Sequence, residues 1–244
     1  MNSIPEWQSR TELVLGSVAV EKLAGSHVMI AGLGGVGAYV AEMLGRSGVG
    51  ELTIADGDVI SSSNRNRQLI ALKSTEGMKK TDLMEQRLID INPGLKIHKV
   101  SEFLKDERMD EILDTSFDYV ADAIDTLSPK VFLIKKTIEK GYPLVSSMGS
   151  GGKFDPTMIR IADVSESYNC KFAHAIRKQL HRLGIREGFK VVFSPEEVNP
   201  SVVKEVRGEQ NKRSVVGTIS YMPAAFGIAM ASVVIRDLIL IDYK

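Results

Sequence analysis

The run Gly32-Leu33-Gly34-Gly35-Val36-Gly37 lies between a short apolar segment and a longer one, where a strand would turn into a helix. Glycines at such a turn let the backbone approach phosphate groups, and the N–H groups at the start of the helix can bind them. Asp56 closes the next apolar segment, nineteen residues after Gly37, where a carboxylate can accept hydrogen bonds from ribose hydroxyls. We therefore predict a nucleotide site. Its predicted contacts are Gly32, Gly34, Gly35, Gly37 and Asp56, with Asp58 beside them.

Cationic and acidic side chains follow this fingerprint in three short segments. They are Ser63-Asn64-Arg65-Asn66-Arg67-Gln68, Gly77-Met78-Lys79-Lys80 and Asp122-Ala123-Ile124-Asp125. The ordinary interpretation of the glycine turn is an NAD-dependent oxidoreductase. That interpretation leaves Arg67, Lys80 and Asp125 without a role, so we keep it only as a less favoured alternative.

The elements that must position these residues alternate between short β-branched segments and longer segments of helical period. The predicted strands are His27–Ala31, Glu51–Ala55, Lys96–Val100, Tyr119–Ala123 and Pro143–Ser147. The predicted helices between them are Val36–Arg46, Met78–Ile91, Asp106–Leu113 and Ser128–Lys140. This alternation implies right-handed crossovers and a mostly parallel sheet covered on both faces. The expected fold class is therefore Rossmann-like, doubly wound α/β.

The second half of the chain departs from this alternation. It contains predicted strands at Met158–Ala162 and Phe189–Phe193, a helix at Cys170–Leu183, a polar loop at Glu196–Ser214 and a closing helix at Pro223–Ile241. We interpret residues 1–244 as a single domain, with a nucleotide-binding part at 27–147 and a substrate-side C-terminal extension at 148–244.

Composition and apolar runs narrow the class of protein. The 31 Lys and Arg residues balance 31 Asp and Glu residues, so any contact with nucleic acid must be local. The single cysteine, Cys170, excludes an internal disulfide and a zinc site built from several cysteines, and it indicates a reducing, cytoplasmic compartment. The four histidines show no metal-ligand spacing. The longest apolar run, Ala224–Ile235, has twelve residues and is too short for a membrane span.

The sequence resembles the E1-like adenylating superfamily of ThiF, MoeB and HesA. The resemblance covers Arg10 to Asp125 and rests on the glycine turn and the three segments above. Asn64–Gln68, Asp122–Lys130 and Gly149–Thr157 are similar to the tRNA threonylcarbamoyladenosine dehydratase branch, which extends the resemblance over most of the chain. That branch uses ATP to close the threonylcarbamoyl group of the adenosine beside a tRNA anticodon into a ring, with loss of water.

The resemblance implies a role for each candidate residue. Adenylation brings a carboxylate against the α-phosphate of ATP, so fixed cations and a metal must offset the repulsion. Arg67 would stabilise charge at the reacting phosphoryl group, and Lys80 would contact the triphosphate. Asn64 would hold the phosphate-facing loop or Arg67. Asp125 would bind Mg²⁺ and Asp56 the ribose.

The resemblance also implies partners. Arg10 is similar to an N-terminal arginine that reaches the ATP of a second subunit, which implies a homodimer. Gly149–Lys153 would form a wall of the substrate pocket. A monovalent cation near this run and a sulfurtransferase-pathway partner are left open. The main alternative is a MoeB- or ThiF-like adenylyltransferase that activates the C terminus of a ubiquitin-like sulfur carrier.

The segment from Lys171 to Lys190 is strongly basic. It carries six Lys or Arg residues against one acid, a net charge of +5. Because phosphate contacts provide most nucleic-acid affinity, we interpret it as the tRNA-backbone surface, with a merely solvated helix face as the alternative. Cys170, just before it, is interpreted as a small apolar residue rather than a thioester nucleophile.

Overall fold

A computed structural model describes residues 4–104, 106–205 and 214–240. Seven strands form the main sheet: β1 (His27–Ala31), β2 (Glu51–Ala55), β3 (Lys96–Val100), β4 (Tyr119–Asp122), β5 (Leu144–Ser147), β6 (Arg160–Asp163) and β7 (Lys190–Phe193). Their spatial order is β3-β2-β1-β4-β5-β7-β6, and only β6 runs antiparallel to its neighbour. The strand order reverses between β1 and β4, which is where open α/β sheets bind ligands.

Within the described residues the sheet is accompanied by eight α-helices: α1 (Ser9–Leu15), α2 (Ser17–Ala24), α3 (Gly37–Arg46), α4 (Lys80–Ile91), α5 (Asp106–Leu113), α6 (Leu127–Glu139), α7 (Lys171–Arg182) and α8 (Tyr221–Ile239). A small hairpin of β8 (Val203–Glu205) and β9 (Ser214–Val216) lies outside the main sheet. The helices form two layers. Residues of α3, α4 and α8 pack on one sheet face, and residues of α5, α6 and α7 pack on the other.

Strand β1 shows why both faces must be covered. Val28 and Ile30 belong to one apolar core, whereas Met29 and Ala31 belong to the other. All four side chains are completely buried. A continuous apolar strand of this kind is typical of a parallel sheet between two helical layers. The structure therefore confirms the doubly wound α/β fold expected from the sequence.

Most predicted elements are found within two residues of their expected bounds, but three differences have physical causes. The sequence does not predict helices α1 and α2. Several of their apolar side chains are exposed, so their apolar residues do not all lie on one buried helix face. The expected polar loop at Glu196–Ser214 contains the one-turn 3-10 helix Pro200–Val202 and strand β8, and its residues 206–213 lie outside the described part. The closing helix begins at Tyr221, and Ile241 lies outside the described residues.

Helix α8 is the one helix in the described ranges that is long and apolar enough, by length and composition alone, to cross a membrane. Half of the qualifying window is buried inside the protein, where Phe226, Met230 and Val234 belong to the core. Core helices of globular proteins meet the same criterion, because a helix covered on several sides is apolar all round.

Candidate active site

The glycine turn follows the carboxyl end of β1. Where it enters α3, its backbone packs directly against the end of the strand. Gly32 has a φ of 91°, and its N–H donates to the carbonyl of Ala55 at 2.7 Å. A Cβ added at Gly37 would lie 1.7 Å from the carbonyl oxygen of Gly32. These two positions require glycine, one for its backbone conformation and the other because strand and helix touch there.

The turn is open at Gly34, whereas a Cβ added at Gly35 would lie 2.9 Å from Pro223 of α8. A Cβ added at Gly34 would meet only the side-chain amide of Gln68, at 3.9 Å. The N–H groups of Gly34, Gly35 and Val36 donate to no acceptor within the ranges that the structure describes. They lie at the start of α3, where the helix dipole favours negative charge. The turn therefore has the shape and the donors that a phosphate chain requires.

Asp56 ties the turn to the end of β2. Its carboxylate accepts hydrogen bonds from the N–H groups of Leu33, at 2.7 Å, and Asp58, at 2.8 Å. Burial raises the pKa of Asp56, and Lys80 together with these two N–H donors opposes that rise. The predicted ribose ligand is thus placed beside the glycine turn, where it also supports the loop.

Lys80, the first residue of α4, is almost completely buried. Its Nζ donates to Asp58 Oδ2 at 2.7 Å and lies 3.5 Å from Asp56 Oδ2. The sequence did not indicate this ion pair, which gives Asp58 a defined role in holding the lysine. The expected contact of Lys80 with a triphosphate stays a prediction. For that contact, the ammonium group would have to bind a phosphate oxygen while it also contacts Asp56 and Asp58.

Asn64 and Arg67 lie in the loop after β2. The side-chain oxygen of Asn64 accepts from the Ser61 N–H at 3.1 Å, and its carbonyl accepts from the Arg67 N–H at 3.1 Å. The Arg67 guanidinium donates to the Ser63 carbonyl at 3.0 Å and to Asn66 Oδ1 at 2.8 Å. Among the described residues Arg67 forms no ion pair, so its positive charge is held by neutral acceptors and remains available to an anion.

Asp125 is exposed in the loop after β4, across the switch point from the glycine turn. Beneath it, Asp122 and Lys130 form a fully buried ion pair with Oδ2 and Nζ 2.8 Å apart. Asp122 also accepts from the Ser146 hydroxyl at 2.7 Å, and Lys130 donates to the Ile124 carbonyl at 2.9 Å. This buried pair supports the loop that presents Asp125. Lys130 therefore has a structural role, which its complete burial reveals.

The run Gly149–Lys153 lies beside β9 and the start of α8. A Cβ added at Gly151 would lie 3.1 Å from Val216, and Gly152 has a φ of 72°. Lys153 is buried and donates to the carbonyl of Glu196, while the Glu196 carboxylate accepts from the N–H of Phe154 at 2.8 Å. The run is therefore tightly packed, and its expected role as a wall of the substrate pocket stays a prediction. Its other expected feature, a nearby monovalent cation, stays a prediction.

Arg10 is exposed on α1 and is remote from the glycine turn of its own chain. The side chain of Gln8, two residues earlier, packs against Gly48, which precedes β2 at the amino ends of the strands. The glycine turn lies at the opposite, carboxyl end of β1. The expected contact of Arg10 with the ATP of a second subunit stays a prediction.

The basic segment is smaller in the structure than its sequence predicts. Arg177 donates to the carbonyl of Ser167 at 2.6 Å, and Lys190 pairs with Asp237 at 2.6 Å. The remaining four basic side chains are exposed: Lys171, Lys178, Arg182 and Arg186. Ala173, Ile176 and Leu180 form the buried face of α7. Cys170 is buried at the start of the helix, as expected for a small apolar residue.

The spacing of the histidines along the chain did not indicate a metal-ligand group, but the fold brings two of them together with a carboxylate. His27, Glu51 and His98 meet at the amino ends of β1, β2 and β3. Sequence spacing could not show this, because the three residues lie on different strands. The group lies at the opposite edge of the sheet from the glycine turn and does not belong to the candidate active site.

Comparison with known proteins places this geometry in context. The model of the ThiF family matches residues 8–242. The chain is 38% identical to tRNA threonylcarbamoyladenosine dehydratase of Bacillus subtilis, over 95% of this chain and 94% of that protein. It is 34% identical to the Escherichia coli protein of the same name, over 71% of this chain and 66% of that one.

Solved structures show the same architecture. The E. coli tRNA N6-threonylcarbamoyladenosine dehydratase TcdA in complex with ATP superimposes with a TM-score of 0.88 at 30% identity, covering 98% of this chain and 97% of that one. The same protein in complex with AMP gives a TM-score of 0.87 at 28% identity, again covering 98% of each chain. E. coli MccB is similar in fold, with a TM-score of 0.64 at 18% identity, covering 98% of this chain and 64% of that one.

Proposed function

This chain belongs to the ThiF family, and from that premise we propose that it is an ATP-dependent tRNA threonylcarbamoyladenosine dehydratase. In the first step, an oxygen of the threonyl carboxylate bonds to the α-phosphorus of ATP and pyrophosphate leaves. In the second, a nucleophile of the same modified adenosine attacks the activated carbonyl carbon, the ring closes, and AMP leaves with the former carboxylate oxygen. Transfer of that oxygen to AMP, together with release of the nucleophile's proton to solvent, accounts for the loss of water.

One observation carries the proposal: the glycine turn, the Arg67 loop and the Asp125 loop converge where the strand order reverses between β1 and β4. Open N–H groups at the turn suit phosphate oxygens, and the Arg67 guanidinium suits the charge that develops at the α-phosphorus. The ATP and AMP complexes of the E. coli relative support the same nucleotide here.

Mg²⁺ belongs to the proposed reaction. Asp125 would hold it, because Mg²⁺ is usually bound through one or two carboxylates together with substrate phosphates. The donor set at this edge fits such an ion, since carboxylate oxygens meet the open phosphate-binding turn. When bound, Mg²⁺ supplies positive charge that offsets the charge of the triphosphate.

We further propose that the protein acts as a homodimer in the cytoplasm. Leu13, Val14 and Val18 on α1 and α2 are 87%, 77% and 79% exposed, which is unusual for three apolar neighbours and suits a subunit interface. Arg10 lies on the same helix as the first two. A dimer through this surface would let Arg10 reach the partner's ATP. The sulfurtransferase-pathway partner and the monovalent cation stay predictions.

The proposal is tested by mass spectrometry of tRNA nucleosides after incubation with ATP and Mg²⁺. We expect the N6-threonylcarbamoyladenosine in the tRNA to be converted to a product lighter by one water. Arg67→Ala should slow the conversion by about 10²–10³-fold. Arg65→Ala is the matched control, because that neighbouring exposed arginine donates only to the Ser62 carbonyl. An unchanged nucleoside mass, with pyrophosphate exchange driven by a ubiquitin-like sulfur carrier, would favour the alternative adenylyltransferase.

The proposed tRNA surface consists of the exposed basic side chains of α7 and the turn after it. Replacing Lys178 and Arg182 by Glu should weaken tRNA binding and lower the slope of log affinity against log salt by about 1 for each lost phosphate contact. Lys22→Glu, which changes an exposed lysine on α2, is the control. A salt slope unchanged by the α7 variants would place tRNA elsewhere on the protein.

A further inference from the structure

Three potential metal ligands meet at the amino edge of the sheet, opposite the candidate active site. His27 is the first residue of β1, Glu51 the first of β2, and His98 the third of β3. Glu51 pairs with His27 in the register, and His98 pairs with Thr53, two residues after Glu51. Residues two apart on a strand share a face. The register therefore places both imidazoles and the carboxylate on one face.

The spacing of their donor atoms suits one ion. All three ligand atoms lie within 4.8 Å of one another. His98 Nε2 is 2.8 Å from Glu51 Oε1, and His27 Nδ1 is 3.7 Å from the same oxygen. In a tetrahedral zinc site with bonds of about 2.0–2.1 Å, ligand atoms are about 3.3 Å apart. The two observed distances lie on either side of that value, so small side-chain rotations suffice.

The surroundings of His27 orient its ring. Its Nε2 lies 2.9 Å from the Thr53 hydroxyl oxygen, which can accept a hydrogen bond from this nitrogen. The ring also stacks at a tilt on Phe117, with centroids 4.7 Å apart. A ligating histidine is commonly held by a hydrogen bond from its other ring nitrogen. With the proton on Nε2, Nδ1 presents its lone pair toward Glu51.

Two of the three side chains have shifted pKa values. Burial lowers the pKa of His27, although Glu51, the Ser116 carbonyl and Asp118 oppose the shift. The hydrogen bond from His98 lowers the pKa of Glu51, and the positive charge of Lys96 acts in the same direction. Zinc binds an imidazole in its neutral form and a carboxylate in its ionised form.

We propose that His27, Glu51 and His98 form a binding site for Zn²⁺ or a divalent metal of similar ligand preference, separate from the Mg²⁺ used with ATP. Imidazole nitrogens select such metals over Mg²⁺. Water can complete the coordination, because the side chain of His98 is 57% exposed. The bound ion would cross-link the amino ends of β1, β2 and β3 and so stabilise this edge of the sheet.

The test titrates untagged, metal-free protein with Co²⁺ and follows visible absorption, then displaces the cobalt with Zn²⁺. We expect one equivalent of Co²⁺ to give the strong visible bands of a low-symmetry nitrogen and oxygen site at pH 7.5. Zn²⁺ should abolish these bands, whereas excess Mg²⁺ should leave them unchanged. The same site should raise the thermal unfolding temperature when Zn²⁺ is added.

Variants distinguish this site from adventitious binding. His98→Gln should weaken Zn²⁺ affinity at least tenfold while leaving the metal-free unfolding temperature unchanged, since His98 is exposed. Glu51→Gln should act similarly, and His181→Gln on α7 is the matched control. If the protein binds Zn²⁺ no more tightly than His98→Gln does, or if the control loses affinity equally, the proposal is overturned. ATP-dependent dehydration in Mg²⁺ should be unaffected by His98→Gln, so this result is independent of the proposed function.

Discussion

Lys130 and Asp122 are the residues whose burial matters most to the candidate active site. Both side chains are completely inaccessible to solvent. Burial lowers the pKa of Lys130, and the Asp122 carboxylate 2.8 Å away opposes that shift. A buried ion pair adds little net stability, but either charge left alone is costly. Each of the two charges beneath the Asp125 loop therefore needs the other to remain buried at low cost.

Replacing Lys130 by Met should lower the free energy of unfolding by about 3–5 kcal/mol, because the Asp122 charge would be buried without compensation. The double variant Lys130→Met with Asp122→Asn should be more stable than the single Lys130→Met variant. Urea unfolding of the four proteins in this double-mutant cycle measures the coupling. Strictly additive effects would contradict the assignment of the two residues to one pair.

At the scale of elements, two glycines at the junction of β1 with α3 have different surroundings. Gly37 is held against the Gly32 carbonyl, whereas Gly34 faces open space apart from the Gln68 amide. One position serves the packing of strand on helix, and the other serves the approach of a ligand.

The two glycines should therefore respond differently to alanine. Gly37→Ala should lower the free energy of unfolding by about 1–3 kcal/mol or more, because its Cβ would overlap the Gly32 carbonyl. Gly34→Ala should change stability by less than about 0.5 kcal/mol but weaken ATP binding about tenfold or more. Thermal unfolding and titration calorimetry with ATP separate these effects. Normal ATP affinity in Gly34→Ala would place the phosphates elsewhere.

Strand β4 is joined to the end of α8 by a partly buried hydrogen bond. The Tyr119 hydroxyl donates to Asp237 Oδ2 at 2.7 Å, and Asp237 Oδ1 pairs with Lys190 of β7 at 2.6 Å. Burial and the Asp237 charge raise the pKa of Tyr119 strongly. The folded protein therefore retains a phenolic proton that the unfolded chain loses near its ordinary value of about 10.

This difference predicts an alkaline loss of stability. Because the folded pKa lies above the unfolded one, the stabilisation is complete below about pH 10 and decreases at higher pH, by up to about 1.4 kcal/mol per pH unit. Urea unfolding between pH 8 and 11.5 should show a shallower decline for Tyr119→Phe than for the natural protein. Tyr168→Phe, which alters a half-exposed tyrosine, should keep the steep decline. Equal slopes in all three proteins would refute the role of Tyr119.

For the whole molecule, the proposed contact of Arg10 with the ATP of a second subunit can be tested by mixing variants. Arg10→Ala and Arg67→Ala should each abolish most dehydration when assayed alone. In a hybrid dimer, one site carries both substitutions and the other carries neither, because the two arginines of a site come from different subunits. An exchanged equimolar mixture should therefore recover about a quarter of the natural activity. No recovery after demonstrated subunit exchange would show that the two arginines do not act across the interface.

The sequence by itself determined the alternation of strands and helices, the glycine turn and the segments that carry Arg67, Lys80 and Asp125. Each of these is a local pattern: apolar periodicity reports which faces are buried, and glycine spacing reports a backbone conformation. The parallel arrangement follows from the alternation, because each crossover returns the chain in the same direction. The sequence could therefore predict that these residues converge at one edge of the sheet.

Only the tertiary structure decided which charged groups face each other. The pairing of Lys80 with Asp58, the burial of Lys130 with Asp122 and the meeting of His27 with Glu51 and His98 join residues on different elements. Such contacts depend on strand register and on the placement of helices over the sheet. Neither is encoded in the spacing along the chain, because register and layer packing are set by the combined burial of many side chains.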